Sequence, residues 1–213
     1  EKNWSFCRLV SDGYEGWISN NDFYLTHKTN YVVSKLKTFA YQKPNFKSGV
    51  LLDLYLNSKV KVVNFLDGWA QIYLCEKQFA FVPCTHIRKK NKIKKDWLKT
   101  ALMFQNLPYL WGGKSSAGID CSGLVQLSLE FSGHAFPRNS KDQVNYSSDL
   151  YIDTGIIEEG CLIFWKGHVA IALSDRLMIH SNSHHMSVVV ENINEAKKRI
   201  SKTDGDIICI KKV

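Results

Sequence analysis

The chain has 213 residues, of which 45% are hydrophobic and 23% charged, with a formal net charge of +8. That length admits one large domain or two small ones, and that balance excludes a disordered chain. No apolar run approaches the roughly 20 residues of a membrane-spanning helix, which sets a membrane-embedded class aside. Residues 1–88 read as β-structure: short runs rich in Val, Phe, Tyr and Leu, broken by turn signals at Asp12-Gly13, Ser48-Gly49 and Asp67-Gly68. Within them is a faint repeat, Trp4-Ser-Phe-Cys…Gly16-Trp-Ile-Ser…Asp22-Phe23 over Trp69-Ala-Gln-Ile…Ala80-Phe-Val-Pro…His86-Ile87. Residues 89–95 hold Lys89, Lys90, Lys92, Lys94 and Lys95 and read as a solvated basic linker. No nucleic-acid-binding motif accompanies that charge.

From Asp96 the pattern becomes helical, with Asp96 as N-cap, Trp97, Ala101 and Phe104 on one face, and Pro108 as the stop. A loop, Trp111-Gly-Gly, leads to Ile119-Asp120-Cys121. A second helix carries Cys121, Leu124, Val125, Ser128 and Leu129 at helical spacing and closes at Gly133. After a polar loop come strand-like runs at 161–165, 168–173, 177–180, 187–191 and 206–212. The layout is α+β: a helix followed by an antiparallel set of strands.

Six cysteines stand at 7, 75, 84, 121, 161 and 209, none in a C-x-x-C pair, which excludes the commonest zinc-site spacing. Five lie in apolar segments and read as buried free thiols, a usage that favours a reducing compartment. Cys121 differs, having Asp120, Ser122 and Gly123 as neighbours. At the first turn of a helix its thiolate is favoured by unpaired N–H groups and the macrodipole. Its base is sought in His168-Val-Ala-Ile-Ala-Leu, where alternation puts His168 with Ala170 and Ala172, a small-residue face with space for the helix mouth. Pairing the next strand, Leu177-Met-Ile-His180, about the turn at Ser174-Asp-Arg176 brings His180 beside His168 as its orienting group. His184 and His185 stand in a loop without a third metal ligand at a supportive spacing.

Pro108-Tyr-Leu-Trp-Gly-Gly, Gly118-Ile-Asp-Cys-Ser-Gly-Leu-Val125, Pro137-Arg138, Gly160-Cys-Leu-Ile-Phe-Trp, Gly167-His-Val-Ala-Ile and Ile179-His180 together resemble the NlpC/P60 cysteine peptidases over residues 96–213. The resemblance implies a papain-like domain, its nucleophile helix packed on an antiparallel sheet. The N-terminal pattern resembles bacterial SH3-like barrels, so the expected layout is the end of a first such domain at 1–26, a second at 27–88, the linker, and the catalytic domain at 96–213. The short first copy carries the further expectation that the start of the chain is missing.

Position by position, the resemblance implies Cys121 as nucleophile, His168 as base and His180 as orienter. Tyr109 matches an oxyanion-supporting tyrosine, or is a packing aromatic. Asp120 is a substrate neighbour or the helix cap. Ser122 matches a substrate-contacting position, and Trp111 a pocket wall or a core tryptophan. In Pro137-Arg138-Asn139-Ser140, Asn139 and Ser140 occupy a substrate loop, with Asn139 where enzymes demanding a free N-terminal L-alanine carry Asp. Tyr14 matches an SH3-domain tyrosine that closes the same pocket.

The implied activity is cysteine endopeptidase cleavage of the γ-D-glutamyl–diaminopimelate bond in peptidoglycan peptides, for wall turnover or murein-peptide recycling, without metal or organic cofactor. The partner is a peptide of the L-Ala-γ-D-Glu-diaminopimelate type, with no nucleic acid and no membrane. The alternative is a non-catalytic wall- or muropeptide-binding protein working through its SH3-like domains. A cytoplasmic place is expected for a recycling enzyme, and an exported one if a signal peptide precedes the sequence.

Overall fold

The computed structural model describes residues 3–22, 27–92, 96–146, 152–153 and 155–213. The chain forms two compact units, Glu1–Ile93 and Lys94–Val213. Phe23 of the repeat and Lys94 and Lys95 of the basic run lie outside the described residues.

The first unit is all β. Strands β1 (Trp4–Arg8) and β2 (Glu15–Ser19) form an antiparallel hairpin whose turn carries Asp12-Gly13. Strands β3 (Tyr31–Val33), β4 (Lys37–Tyr41), β5 (Val50–Tyr55), β6 (Lys59–Leu66), β7 (Trp69–Tyr73), β8 (Phe79–Pro83) and β9 (Ile87–Lys89) make a seven-stranded antiparallel sheet in the order β5-β4-β8-β7-β6-β3-β9. Its core follows the alternation in the sequence: Val60 and Val62, Ala70 and Ile72, and Ala80 and Val82 point inward and pack with Val33, Ala40 and Ile87. Asp67 and Gly68 take φ of 40° and 82° in the β6–β7 turn, as a tight hairpin requires. Both copies of the repeat are hairpins that open on a tryptophan, Trp4 in β1 and Trp69 in β7. Lys89, read as linker, ends β9.

The second unit begins with α1 (Trp97–Leu102), capped by Asp96, whose carboxylate accepts from the Lys99 N–H at 2.9 Å. It ends six residues before Pro108, since Met103–Gln105 continue only as tight turns. A short hairpin, β10 (Lys114–Ser115) with β11 (Gly118–Ile119), delivers the chain to α2 (Cys121–Phe131). The polar loop that follows contains α3 (Ser140–Val144). Strands β12 (Ile152–Asp153), β13 (Cys161–Trp165), β14 (His168–Ala172), β15 (Leu177–Asn182), β16 (Ser187–Asn192) and β17 (Cys209–Lys212) build a six-stranded antiparallel sheet, ordered β12-β17-β13-β14-β15-β16.

A fourth helix, α4 (Ile193–Ile200), follows β16 directly and is absent from the strand pattern read in the sequence. Asn192 caps it by accepting from the Asn194 and Glu195 N–H groups, and Lys197, Lys198 and Arg199 close its last turn. Ile193, Ala196 and Ile200 are buried against Ala170, Ala172, Met178, Ile163, Trp165 and Ile210. The small-residue face of β14 was expected to receive the nucleophile helix; Ala170 and Ala172 make room for α4 instead. α2 packs on β14 and β15 too, and Ser181, which alternates opposite to His180, donates to the Ile119 carbonyl at 2.6 Å beside the start of α2.

All six cysteines are free thiols, but only Cys161 is fully buried; Cys7, Cys75, Cys84, Cys121 and Cys209 are half-buried. Among the described residues no helix is long and apolar enough to cross a membrane.

Candidate active site

The Cys121 end of the candidate site is a helix mouth held by a buried ion pair. Asp120 caps α2, accepting from the Gly123 N–H at 2.7 Å. The same carboxylate takes Arg138 Nη1 on Oδ1 at 2.9 Å and Nη2 on Oδ2 at 2.7 Å, with the Gly112 N–H on Oδ2 at 2.9 Å. Arg138 also donates to the Gly113 carbonyl and to Ser122 Oγ. Both charges are buried, and this satisfied fork ties the Trp111-Gly-Gly loop, the helix start and the Pro137-Arg138 segment together. Close approach explains the motif glycines: a Cβ on Gly123 would lie 2.5 Å from the Gly113 oxygen, and one on Gly113 would lie 2.4 Å from the Gly118 oxygen.

The sulfur of Cys121 meets backbone N–H groups of Val169, Ser122 and Cys121 itself. Val169 is the residue after His168, so the sulfur sits where β14 begins. His168 Nε2 lies 2.8 Å from His180 Nδ1, and His180 Nε2 lies 2.5 Å from Glu191 Oε1. Arg199, on α4, closes the row as a two-pronged donor to Glu191, with Nη1 on Oε2 at 2.8 Å and Nη2 on Oε1 at 2.6 Å. The row therefore runs from the sulfur's surroundings on β14 through β15 and β16 to α4. His168 is half-buried and His180 fully buried.

Burial decides the protonation of the pair. It pushes the Cys121 thiol up to about 11, with Asp120 adding to the rise against the pull of the surrounding N–H groups. It pushes His168 down to about 3, helped by His180 and Arg199 and opposed by Glu191. His180 is also lowered, chiefly by burial. Glu191 is lowered too, but toward its charged form: against burial, hydrogen bonds from His180 and Arg199 hold it well below the usual carboxylate range. At rest the site holds a neutral thiol and a neutral imidazole, with a carboxylate at the far end of the row. The helix mouth alone was expected to favour the thiolate; desolvation is the larger effect.

Residues 106–203 match the model of the NlpC/P60 family. That stretch is similar to the family over a little less than half of the chain. Dipeptidyl-peptidase 6 of Lysinibacillus sphaericus is 24% identical, over 92% of this chain and 79% of that protein. The gamma-D-glutamyl-L-lysine dipeptidyl-peptidase of Bacillus cereus is 30% identical over 86% of this chain, which spans 61% of that relative's length. A crystal structure of an NlpC/P60 family protein from Bacillus cereus shares the fold, with a TM-score of 0.82 over 99% of this chain and 76% of its own, at 22% identity.

Within the matched stretch, Tyr109 is half-buried on a backbone bridge to Ile119, and its N–H donates to the Met186 carbonyl. Burial raises the pKa of its hydroxyl, and Cys121 and Asp120 add to the rise. Trp111 is 84% exposed, so it is no core residue. Ser122 Oγ is buried and donates to Asp120 Oδ1 at 3.2 Å, which commits it to the ion-pair network. Asn139 is exposed at the start of α3, its amide donating to Asp142 at 3.1 Å, and Ser140 is the first residue of that helix.

Tyr14 belongs to the first unit, where it is 46% exposed just before β2. His184 and His185 stack edge to face in an exposed loop, where the His185 N–H donates to Asn182 Oδ1. Sequence reasoning missed Glu191 and Arg199, and it gave Arg138 no partner. The charge pairing of Asp120 with Arg138 had one available signal, a buried cap beside an arginine motif.

Proposed function

We propose that this protein is a cysteine peptidase that hydrolyses the γ-D-glutamyl–diamino acid amide bond of peptidoglycan-derived peptides. The observation that carries it is the Cys121 sulfur at a helix mouth beside the start of β14, with the His168–His180–Glu191 row behind the base. The NlpC/P60 match and the names of its relatives supply the substrate class.

His168 Nε2 is occupied by His180, which leaves Nδ1 as the base. As substrate enters, Nδ1 takes the Cys121 proton and the sulfur attacks the carbonyl carbon that follows D-iso-glutamate. The oxyanion forms against the N–H groups at the start of α2, a principal donor of this kind being typically worth about 10²–10³ in rate, with the Tyr109 hydroxyl as a weaker auxiliary donor. The C–N bond breaks as His168 returns its proton to the departing diamino-acid amine. Water, deprotonated by His168, then cleaves the thioester and restores the thiol. Neutral resting groups suit this sequence because the charge pair is created only with substrate in place.

The first unit is proposed to be SH3-like. Short free peptides as substrates would make the work cytoplasmic recycling, and intact murein would make it wall turnover.

The principal test incubates the purified chain with L-Ala-γ-D-Glu-meso-diaminopimelate and with the L-lysine analogue, reading release of L-Ala-D-Glu by mass spectrometry. Wild type should cleave at least one and Cys121→Ala neither. Inactivity of both proteins on every muropeptide tried would instead favour a wall-binding role for the β-rich unit.

A further inference from the structure

The proposed reaction needs a lone pair on His168 Nδ1, and the row of hydrogen bonds behind it can be written in two directions. In one, His168 Nε2–H donates to His180 Nδ1 and His180 Nε2–H donates to Glu191; His168 Nδ1 is then bare and basic. In the other, His180 Nδ1–H donates to His168 Nε2; neutral His168 must then carry its proton on Nδ1, where it cannot accept one.

The surroundings of His180 contain groups favouring each direction. Asn182 Nδ2 lies 3.0 Å from His180 Nε2, and Asn182 Oδ1 is taken by the His185 N–H at 2.8 Å. The amide therefore presents donors to His180 and favours a bare Nε2, the unproductive direction. Glu191 Oε1 lies closer, at 2.5 Å from the same nitrogen, and is an acceptor when ionised. Its second partner, Arg199, binds both of its oxygens and holds it ionised and aimed.

We propose that Glu191, held by Arg199, is a positioning residue that selects the tautomer of His180 and through it the basic tautomer of His168. This deepens the peptidase reading and rests on it for its catalytic consequence, but the tautomer choice itself is independent of substrate. When His168 takes the thiol proton, the same row directs its Nε2–H through His180 toward the Glu191 charge. The carboxylate faces His180 from β15 and Arg199 from α4, with His168 and His185 as the charged or titratable neighbours beyond His180.

The test is Glu191→Gln, which keeps the shape and removes the charge. Long-range ¹H–¹⁵N spectra of the substrate-free protein should show both imidazoles protonated on Nε2 in wild type, and protons moved onto Nδ1 in the variant. On the cleaved muropeptide kcat should fall about 10–100-fold, within the scale of general-base catalysis, with KM held within about threefold. Arg199→Gln is the second variant: with its clamp lost, Glu191 protonates more easily. Its kcat should gain a decline below about pH 5, near the ordinary glutamate range, that wild type lacks.

Unchanged tautomers in Glu191→Gln overturn the proposal, as does a tautomer change without loss of kcat. If wild type cleaves no muropeptide yet the tautomers move, the selection stands and the peptidase reading falls. If wild type cleaves and neither tautomers nor kcat respond, the selection falls and the peptidase reading stands.

Discussion

Both ends of the site rest on a carboxylate gripped by an arginine, yet the two pairs do different work. Asp120–Arg138 is buried on both sides and binds backbone: the Gly112 and Gly123 N–H groups and the Gly113 carbonyl. Glu191–Arg199 is more open and binds a ring nitrogen. The first pair fixes where the sulfur is; the second fixes where a proton is. A charge spent on holding backbone shows in stability, and one spent on a tautomer shows in rate.

The largest expected effect is therefore at Arg138. Arg138→Met strands the Asp120 carboxylate in a buried position, and breaking such a pair costs about 3–5 kcal/mol. Urea unfolding of the second unit should show that loss. Arg199→Met, tested the same way, should cost less than about 1 kcal/mol, because its side chain is partly exposed and solvent screens it. Equal losses would erase the distinction between the two pairs.

A second contrast concerns pH. His168 and His180 have folded-state pKa values below the ordinary 6.5, so the unfolded chain binds more protons than the folded one below that pH. Stability should fall as pH drops from about 7 toward 4. Glu191, also depressed, contributes stability above the ordinary carboxylate range, and that contribution is lost on further acidification. His168→Gln should flatten the slope between about pH 6.5 and 5. An identical slope would contradict the burial of a neutral imidazole.

The nucleophile supplies a third comparison. Alkylation of Cys121 by iodoacetamide should accelerate only toward about pH 11, well above an ordinary thiol near 8.5. A midpoint below that ordinary value would mean that the helix mouth outweighs burial. Smallest of all is Tyr109→Phe, expected to lower kcat by up to about tenfold with little change in KM, as loss of one auxiliary oxyanion donor would. A change confined to KM would recast Tyr109 as a binding residue.

The two ends also differed in how plainly the sequence announced them. Gly118–Val125 is a contiguous run, and the cap, Cys121 and the helix it opens are local features that spacing reveals. His180 was reachable because a short turn at Ser174–Arg176 forces β15 back along β14, pairing Ile171 with Ile179. Glu191 was not, because its place depends on the β15–β16 register that sets it opposite Met178, and on a helix bringing Arg199 back over the sheet. That helix hides in a charged stretch whose apolar positions are only Ile193, Ala196 and Ile200. The same blind spot reversed the reading of β14: alternation showed correctly that one face was small, but not which helix needed the space.

The central claim is covalent catalysis at Cys121, and a rapid acid quench during turnover of L-Ala-γ-D-Glu-meso-diaminopimelate tests it most directly. Intact and peptide-level mass spectrometry should find an L-Ala-D-Glu thioester on the peptide that contains Cys121, and none in Cys121→Ala. Undiminished turnover by Cys121→Ala, or the acyl group on a different residue, would contradict the account.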